Sequence, residues 1–235
     1  MAILDKWDLQ LTVNDVLRAQ GADPEVLRVR RPSLVENTEK AITLGTSLLQ
    51  PKVLYKKYLV KGFVHQRLEL YSDNSMNGKA YLSGPLIAQH LPRSQEVIVL
   101  ICTIGRELDE MVSNMFKVDP VVALALDGVG SAAVEKLSLQ VCNYFETKAR
   151  KNGLKTTIPL NPGMIGWPIE TGQPEIFVLL DSEEIQVSLT ESCMMIPNKS
   201  LSMVLGRGVD VSVNGSSCDY CNLNGVCRYQ NHYEK

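Results

Sequence analysis

Across residues 121–150 the apolar side chains Val122, Leu126, Val129, Ala133, Leu137, Val141 and Tyr144 recur at steps of three and four. That periodicity specifies a long amphipathic helix with one face against a core. Asp127, Ser131 and Glu135 step by four on the opposite side and share a second face. Gly128 and Gly130 lie in the same stretch, each costing roughly 1 kcal/mol relative to Ala in a helix. Their use implies that something packs very close to this helix, or that its first turns bend.

The rest of the chain alternates helical and extended signals. Thr12 is a good N-cap before Val13, Val16 and Leu17, and Gly21 ends that short helix. Asn37 or Thr38 opens a second helix with Ala41, Leu44, Leu48 and Leu49 apolar, and Pro51 stops it. Residues 53–71 read as extended. Residues 83–91 read as helix, with Pro85 in the first turn. Glu96-Val-Ile-Val-Leu-Ile-Cys102 is a continuous apolar run, as in a buried strand. Thr103-Ile-Gly105 is a tight exit into a helix over 106–116. Residues 159–168 form a loop rich in Pro and Gly, 175–180 a short helix, and 184–189 and 201–205 strands. A polar connector, 206–217, leads to a cysteine-rich tail.

With 235 residues the chain suits one large domain, or one domain with a small appendage, and buries enough core to fold without disulfides. A net charge of −2 lacks the cationic surplus of a nucleic-acid binder. No apolar run approaches the ~20 residues of a transmembrane helix. The N-terminus, with Asp5 and Asp8, has neither the basic start nor the apolar core of a signal peptide, so a cytoplasmic location is expected.

Six cysteines are unevenly placed: Cys102 and Cys142 in apolar or helical patterns, Cys193 in a short motif, and Cys218, Cys221 and Cys227 crowded near the end. In a reducing compartment such crowding points to metal rather than a disulfide knot. A Cys-x-x-Cys pair turns two thiolates toward one centre, and Gly225 permits Cys227 to fold back. An iron–sulfur cluster is the first reading, structural zinc the second and a metal-free tail the third, because spacing alone fixes neither metal nor ligand count. Cys193, His232 or an external group is the candidate fourth ligand. Two parts are expected: a body over 1–210 and a metal-binding tail over 211–235.

Three segments together resemble one family. They are the helix segment Ala125-Leu-Asp-Gly-Val-Gly-Ser-Ala-Ala-Val-Glu135, the loop Asn161-Pro-Gly-Met-Ile-Gly-Trp-Pro168, and Val187-Ser-Leu-Thr-Glu-Ser-Cys193 running on to Ser200-Leu-Ser202. In order and spacing they are similar to the activation domain of cobalamin-dependent methionine synthase, over about residues 95–206. The resemblance implies an α+β fold, a bent antiparallel sheet with flanking helices. It implies a groove for S-adenosylmethionine and a docking face for a corrinoid protein, on which inactive cob(II)alamin is reduced and remethylated.

The loop departs from that family in its side chains. The family's pattern Arg-x-x-Pro-Gly-Tyr has Pro159 here in place of the Arg that grips the ligand carboxylate, and Met164 in place of the Tyr. A Glu of the family's long helix corresponds to Ser131. The Pro162-Gly163 frame stays while the gripping groups are gone, which weighs against ordinary S-adenosylmethionine binding. No Asp-x-His-x-x-Gly corrinoid-binding signature occurs, so the corrinoid is expected on a partner, either a corrinoid protein or a corrinoid methyltransferase.

The implied function is an accessory one, assisting reductive reactivation or methyl transfer. The alternatives are an S-adenosylmethionine-dependent reactivation enzyme and a zinc-stapled interaction module. Candidate groove residues are Asp127, Glu135, Pro162, Gly163, Met164, Trp167 and Glu191. Each has a plainer reading: Asp127 and Glu135 as a solvated helix face, Glu191 as a carboxylate tying down a turn, Met164 and Met194-Met195 as core or interface filler, and Trp167 as a local lock on its loop. The docking face is expected on 161–168 and 190–195, with Trp167 as a contact.

Overall fold

The computed structural model describes residues 1–71, 80–213, 215–221 and 224. The elements are β1 (Ala2–Leu4), α1 (Val13–Ala19), α2 (Pro24–Arg30), α3 (Pro32–Gly45), β2 (Lys52–Val64), β3 (Arg67–Leu70), β4 (Tyr81–Ser83) and α4 (Pro85–His90). They continue with β5 (Glu96–Thr103), α5 (Glu107–Met115), α6 (Pro120–Lys151), β6 (Lys155–Thr156), α7 (Ile169–Leu179), β7 (Ser188–Leu189), β8 (Met195–Ile196) and β9 (Ser200–Gly208).

A seven-stranded sheet runs β4-β3-β2-β5-β9-β6, with β1 added to β2, and every pairing is antiparallel. Strand β2 pairs with β5 through Leu59, then with β3 from Val60 on, with a register shift between Val60 and Gly62. One long strand thus serves two parts of the sheet and curls it.

The apolar run of β5 is buried on both sides. Ile98, Leu100 and Cys102 join Met203 and Leu205 of β9 in a core under α1, α3, α5 and α6. Val97, Val99 and Ile101 join Val204 in a second core with Leu86, Ile87, Leu160, Trp167 and Ile176. A strand between two cores has no face for polar residues, which is why its pattern does not alternate.

Helix α6 follows the sequence periodicity closely. Asp119 caps it by accepting from the amides of Val121 and Val122, Pro120 occupies the first turn, and Lys148, Arg150 and Lys151 close it. At 32 residues it is about 48 Å long. The two costly glycines mark close packing. A Cβ on Gly128 would lie 2.6 Å from Gln20 Cγ and Cδ, and Gln20 Nε2 donates to the carbonyl of Leu124 (2.7 Å). A Cβ on Gly130 would lie 3.0 Å from both Leu108 Cδ2 and Lys199 Cγ.

Four boundaries differ from the sequence reading. Helix α3 starts at Pro32 rather than near Thr38, because Pro fits a first helical turn. Helix α7 starts at Ile169 and runs through Gly172 and Pro174, both of which read as breakers. Residues 184–189 are not a strand: Ser182–Ile185 is a 3-10 turn, Gln186 is left-handed at φ 59°, and only Ser188–Leu189 is extended. Ile185 and Val187 are nonetheless both buried, which mimics strand alternation. Strand β9 extends to Gly208, three residues past the predicted end.

Candidate functional site

The Pro-Gly loop at 161–168 is built largely from backbone. Gly163 adopts φ 100° and Gly166 φ 86°, conformations that favour glycine. The amide of Gly163 donates to the carbonyl of Trp167 (2.7 Å), that of Met164 to Asn161 (3.1 Å), and that of Trp167 to Met164 (2.9 Å). Asn161 Nδ2 donates to the carbonyl of Ser202 (2.9 Å), tying the loop to β9. The carbonyl of Gly166 accepts from Leu86 (3.1 Å) at the start of α4.

Trp167 is fully buried. Its ring fills the space left by Gly172, where a Cβ would lie 2.8 Å from Trp167 Cε2 and 2.9 Å from Pro162 Cβ. This corrects the expectation of a docking contact: the indole locks the loop onto α7 and the second core. Its N–H is buried and faces the Glu175 carboxylate without reaching hydrogen-bond geometry. Glu175 accepts instead from the amide of Ser83 (2.9 Å) and from the Ser83 hydroxyl. Burial raises the Glu175 carboxyl above its ordinary range, against the lowering by Ser83, the indole and Arg67.

The outward side of the loop is apolar. Ile165 is 52% exposed and Met164 is partly buried. Met164 and Met195 both pack on the second core, so the loop and the β7–β8 hairpin share it. Met194 and Ile196 of that hairpin are exposed. Its turn is tied by Thr190, whose Oγ1 accepts from the Met194 amide (3.0 Å), with Cys193 left-handed at φ 60°. Glu191 therefore does not tie down the turn, as its plainer reading supposed. It is exposed and makes no hydrogen bond or ion pair among the described residues.

Asp127 belongs elsewhere. It pairs with Lys199 Nζ at 2.8 Å, and Lys199 also donates to Ser131 Oγ (3.0 Å). The nearby Asp109 accepts from the Asn198 amide (2.8 Å), and burial raises its carboxyl. This group ties α5 and α6 to the approach of β9. Helix α6 packs in the first core, whereas the loop packs in the second, so Asp127 and the loop approach the sheet from opposite faces. Glu135 is half-buried on α6. Arg207 offers no substitute for the loop's missing Arg, because it is paired with Glu96 (3.1 and 3.2 Å).

The described part of the tail lies against the loop. The amide of Ile165 donates to the carbonyl of Tyr220 (2.8 Å). The Tyr220 ring packs on the second core and stands edge-on to His90, with centroids 4.6 Å apart. Cys218 and Cys221 flank this anchor on one turn, closed by the Cys221 amide on the Cys218 carbonyl (3.2 Å) and by reciprocal Ser216–Asp219 capping. Both cysteines are half-buried. Cys227 and His232 lie outside the described residues. Among the described residues no three His, Cys, Asp or Glu side chains are gathered to hold a metal.

Cys102 and Cys142 are core thiols, Cys102 fully buried and Cys142 pushed by burial up to about 12. Among the described residues no helix is long and apolar enough to cross a membrane. Sequence reasoning missed Lys199, Tyr220 and the Ser83–Glu175 pair. Only Gly130 signalled one of them, through the Lys199 stem that crosses it.

An antiparallel curled sheet, helices on both faces and a backbone-built loop against the central strands define the architecture. A crystal structure of the MetH reactivation domain bound to AdoHcy superposes on it with a TM-score of 0.60. The chain has that domain's fold. The match covers 94% of this chain and 83% of the reactivation domain, at 14% identity. No family model matches the sequence, and no curated protein does. The likeness to the MetH reactivation domain is therefore one of fold.

Proposed function

We propose that this protein is an accessory factor of a corrinoid-dependent methyltransferase system, docking on a corrinoid protein to assist reductive reactivation or methyl transfer. The observation that carries the reading is the contact between the cysteine turn and the Pro-Gly loop. The Ile165 amide donates to the Tyr220 carbonyl, and Tyr220 lies in the sequence between Cys218 and Cys221, so a group held by those cysteines would sit near the loop that carries the exposed Ile165. A docking face and an electron-carrying group must be neighbours if one is to serve a cobalt ion seated on the other. The fold of the MetH reactivation domain supports the cobalamin context.

Reduction of Co(II) to Co(I) needs a low-potential electron, and cysteine-held iron–sulfur clusters reach down to roughly −700 mV. Cys218, Cys221 and Cys227 would hold such a cluster, or zinc in its place. Ile165, Met194 and Ile196 supply adaptable apolar contacts of the kind found at interface centres. The neighbour's AdoHcy raises S-adenosylmethionine as a ligand here. Against it stand Pro159, which has no donor, and Arg207, which is engaged by Glu96.

The test immobilises each corrinoid protein of the source organism, loaded with cob(II)alamin, and measures capture of this chain. Capture by at least one is expected, weakened by more than about tenfold in Ile165→Asp and Met194→Asp, as for contacts at an interface hot spot. Both side chains are exposed, so neither change should disturb folding. Capture by none, or capture indifferent to both substitutions, refutes the docking reading. Micromolar calorimetric binding of S-adenosylmethionine would favour the enzyme instead.

A further inference from the structure

We infer that the slot between α4 and the Pro-Gly loop is a binding site for a neutral planar heteroaromatic ring, which the chain's own Tyr220 fills as a displaceable internal ligand. The inference goes beyond the docking reading and needs no metal at the tail.

The last two residues of α4 converge on the Tyr220 ring. Gln89 Nε2 donates to its hydroxyl, and the His90 imidazole lies against the ring with centroids 4.6 Å apart. The floor is apolar: the ring packs on the second core, to which α4 gives Leu86, Ile87 and Leu91. The loop closes the slot, with the Ile165 amide holding the Tyr220 carbonyl (2.8 Å). An apolar floor with a few convergent polar groups is the usual make-up of a small-molecule site. The slot is also separate from Asp127 and Ser131, whose helix α6 packs on the first core.

Tyr220 uses these polar groups incompletely. Its hydroxyl stands 3.4 Å from Gln89 Nε2, beyond the usual range of such a bond. His90 is only 8% exposed, and its Nε2 is buried with no hydrogen-bond partner. Buried polar atoms in native proteins almost always have a partner, and a phenol ring has no nitrogen to offer one. A heteroaromatic ring that carries both an N–H and a bare nitrogen can pair with Nε2 in either tautomer of the imidazole. Burial lowers the His90 pKa, so the imidazole is uncharged near neutral pH and suits a neutral ring rather than an anion. The Ser217–Tyr220 turn contains no buried residue, so little packing is lost when the ring leaves. Its departure frees the Ile165 amide, which makes ring binding and release of the turn from the loop one event.

The experiment titrates the full-length protein with two probes and follows the His90 ring nitrogens and the Ile165 amide by nitrogen NMR. The probes are p-cresol, which copies the tyrosine side chain, and benzimidazole, which has one ring N–H and one bare ring nitrogen. Tyr220→Ala, with the slot opened, should bind both saturably and shift the His90 nitrogens. The wild type should bind each at least about tenfold more weakly, because its own ring competes at an effective concentration in the millimolar range. Adding His90→Phe to Tyr220→Ala should weaken benzimidazole roughly fivefold, the worth of one neutral hydrogen bond, and spare p-cresol. Absence of saturable binding to Tyr220→Ala, or equal affinity for it and the wild type, would overturn the site. Benzimidazole binding indifferent to His90→Phe would overturn the preference for a heteroaromatic ring. The wild type decides alone if the variants do not fold: its Ile165 amide and His90 nitrogens should shift together at millimolar benzimidazole, and unmoved resonances would refute displacement.

Discussion

Truncating Trp167 to Ala should lower the melting temperature by about 6–12 °C. The magnitude follows from the burial of the ring. Trp167 has no exposed surface and sits against Gly172, Pro162 and the second core. Truncating a buried Trp costs about 3–5 kcal/mol in transfer and cavity terms. The indole N–H is buried without a hydrogen bond, so removing it recovers part of a desolvation penalty of about 1–3 kcal/mol, and the net falls at the lower end. In a domain of this size each kcal/mol shifts the midpoint by roughly 2–4 °C, so about 3 kcal/mol gives the stated range. Trp167→Phe should cost less than Trp167→Ala, because it keeps most of the ring and deletes the orphan donor. Calorimetric or circular-dichroism melts decide the matter. A midpoint within about 2 °C of the wild type for Trp167→Ala would show that the ring does not lock the loop.

Gly172→Ala should destabilise the protein in urea denaturation, although helix propensity alone would stabilise it by about 1 kcal/mol. The added Cβ meets the stiff Trp167 and Pro162 rings at 2.8–2.9 Å, and overpacking of this kind costs about 1–3 kcal/mol; a raised urea midpoint would contradict the packing argument. Burial raises the Glu175 carboxyl, so the folded state holds that proton more tightly than the unfolded chain. Its contribution is full below the ordinary Glu range and is lost as pH rises through the folded value, so non-titrating Glu175→Gln should gain on the wild type over the interval that begins at the ordinary Glu value, about 4.3, and runs upward. A constant or falling difference in urea midpoints over that interval would refute the sign.

The parts of the fold legible in the sequence were those where one local signal dominates. The periodicity over 121–150 marked α6 almost to the residue, and the apolar run from Glu96 marked the central strand. The start of α7 was hidden because Gly172 and Pro174 are helix breakers by local rules, and only the distant Trp167 ring explains the glycine. The misread strand at 184–189 has the same origin: Ile185 and Val187 are buried like alternate strand residues, but around the left-handed Gln186. At the site, the sequence named the loop and the cysteines but not their contact. Tyr220 reads as a mere spacer between Cys218 and Cys221, and its tie to Ile165 reaches back 55 residues along the chain rather than along any local repeat. Asp127 looked like a groove residue because its partner, Lys199, is far along the chain.

The loop also shows how a fold likeness outlasts the chemistry of a site. Its shape depends on glycine torsions at Gly163 and Gly166 and on backbone bonds among Asn161, Gly163, Met164 and Trp167. None of these needs the side chains that would grip a ligand carboxylate, so Pro159 and Met164 occupy the gripping positions without unmaking the frame. The amides of Gly163, Met164, Ile165 and Trp167 are all engaged inside the protein, leaving none of these four to hold an anion. A charge-assisted bond to a carboxylate contributes about 1.5–3 kcal/mol, so losing it weakens a small ligand roughly tenfold or more. The exposed Ile165 and Met194 side chains would gain instead from apolar contact with a large surface, as the proposed docking requires. On these terms the loop geometry would suit the proposed protein partner better than a small charged ligand, with the backbone of Tyr220 held against it.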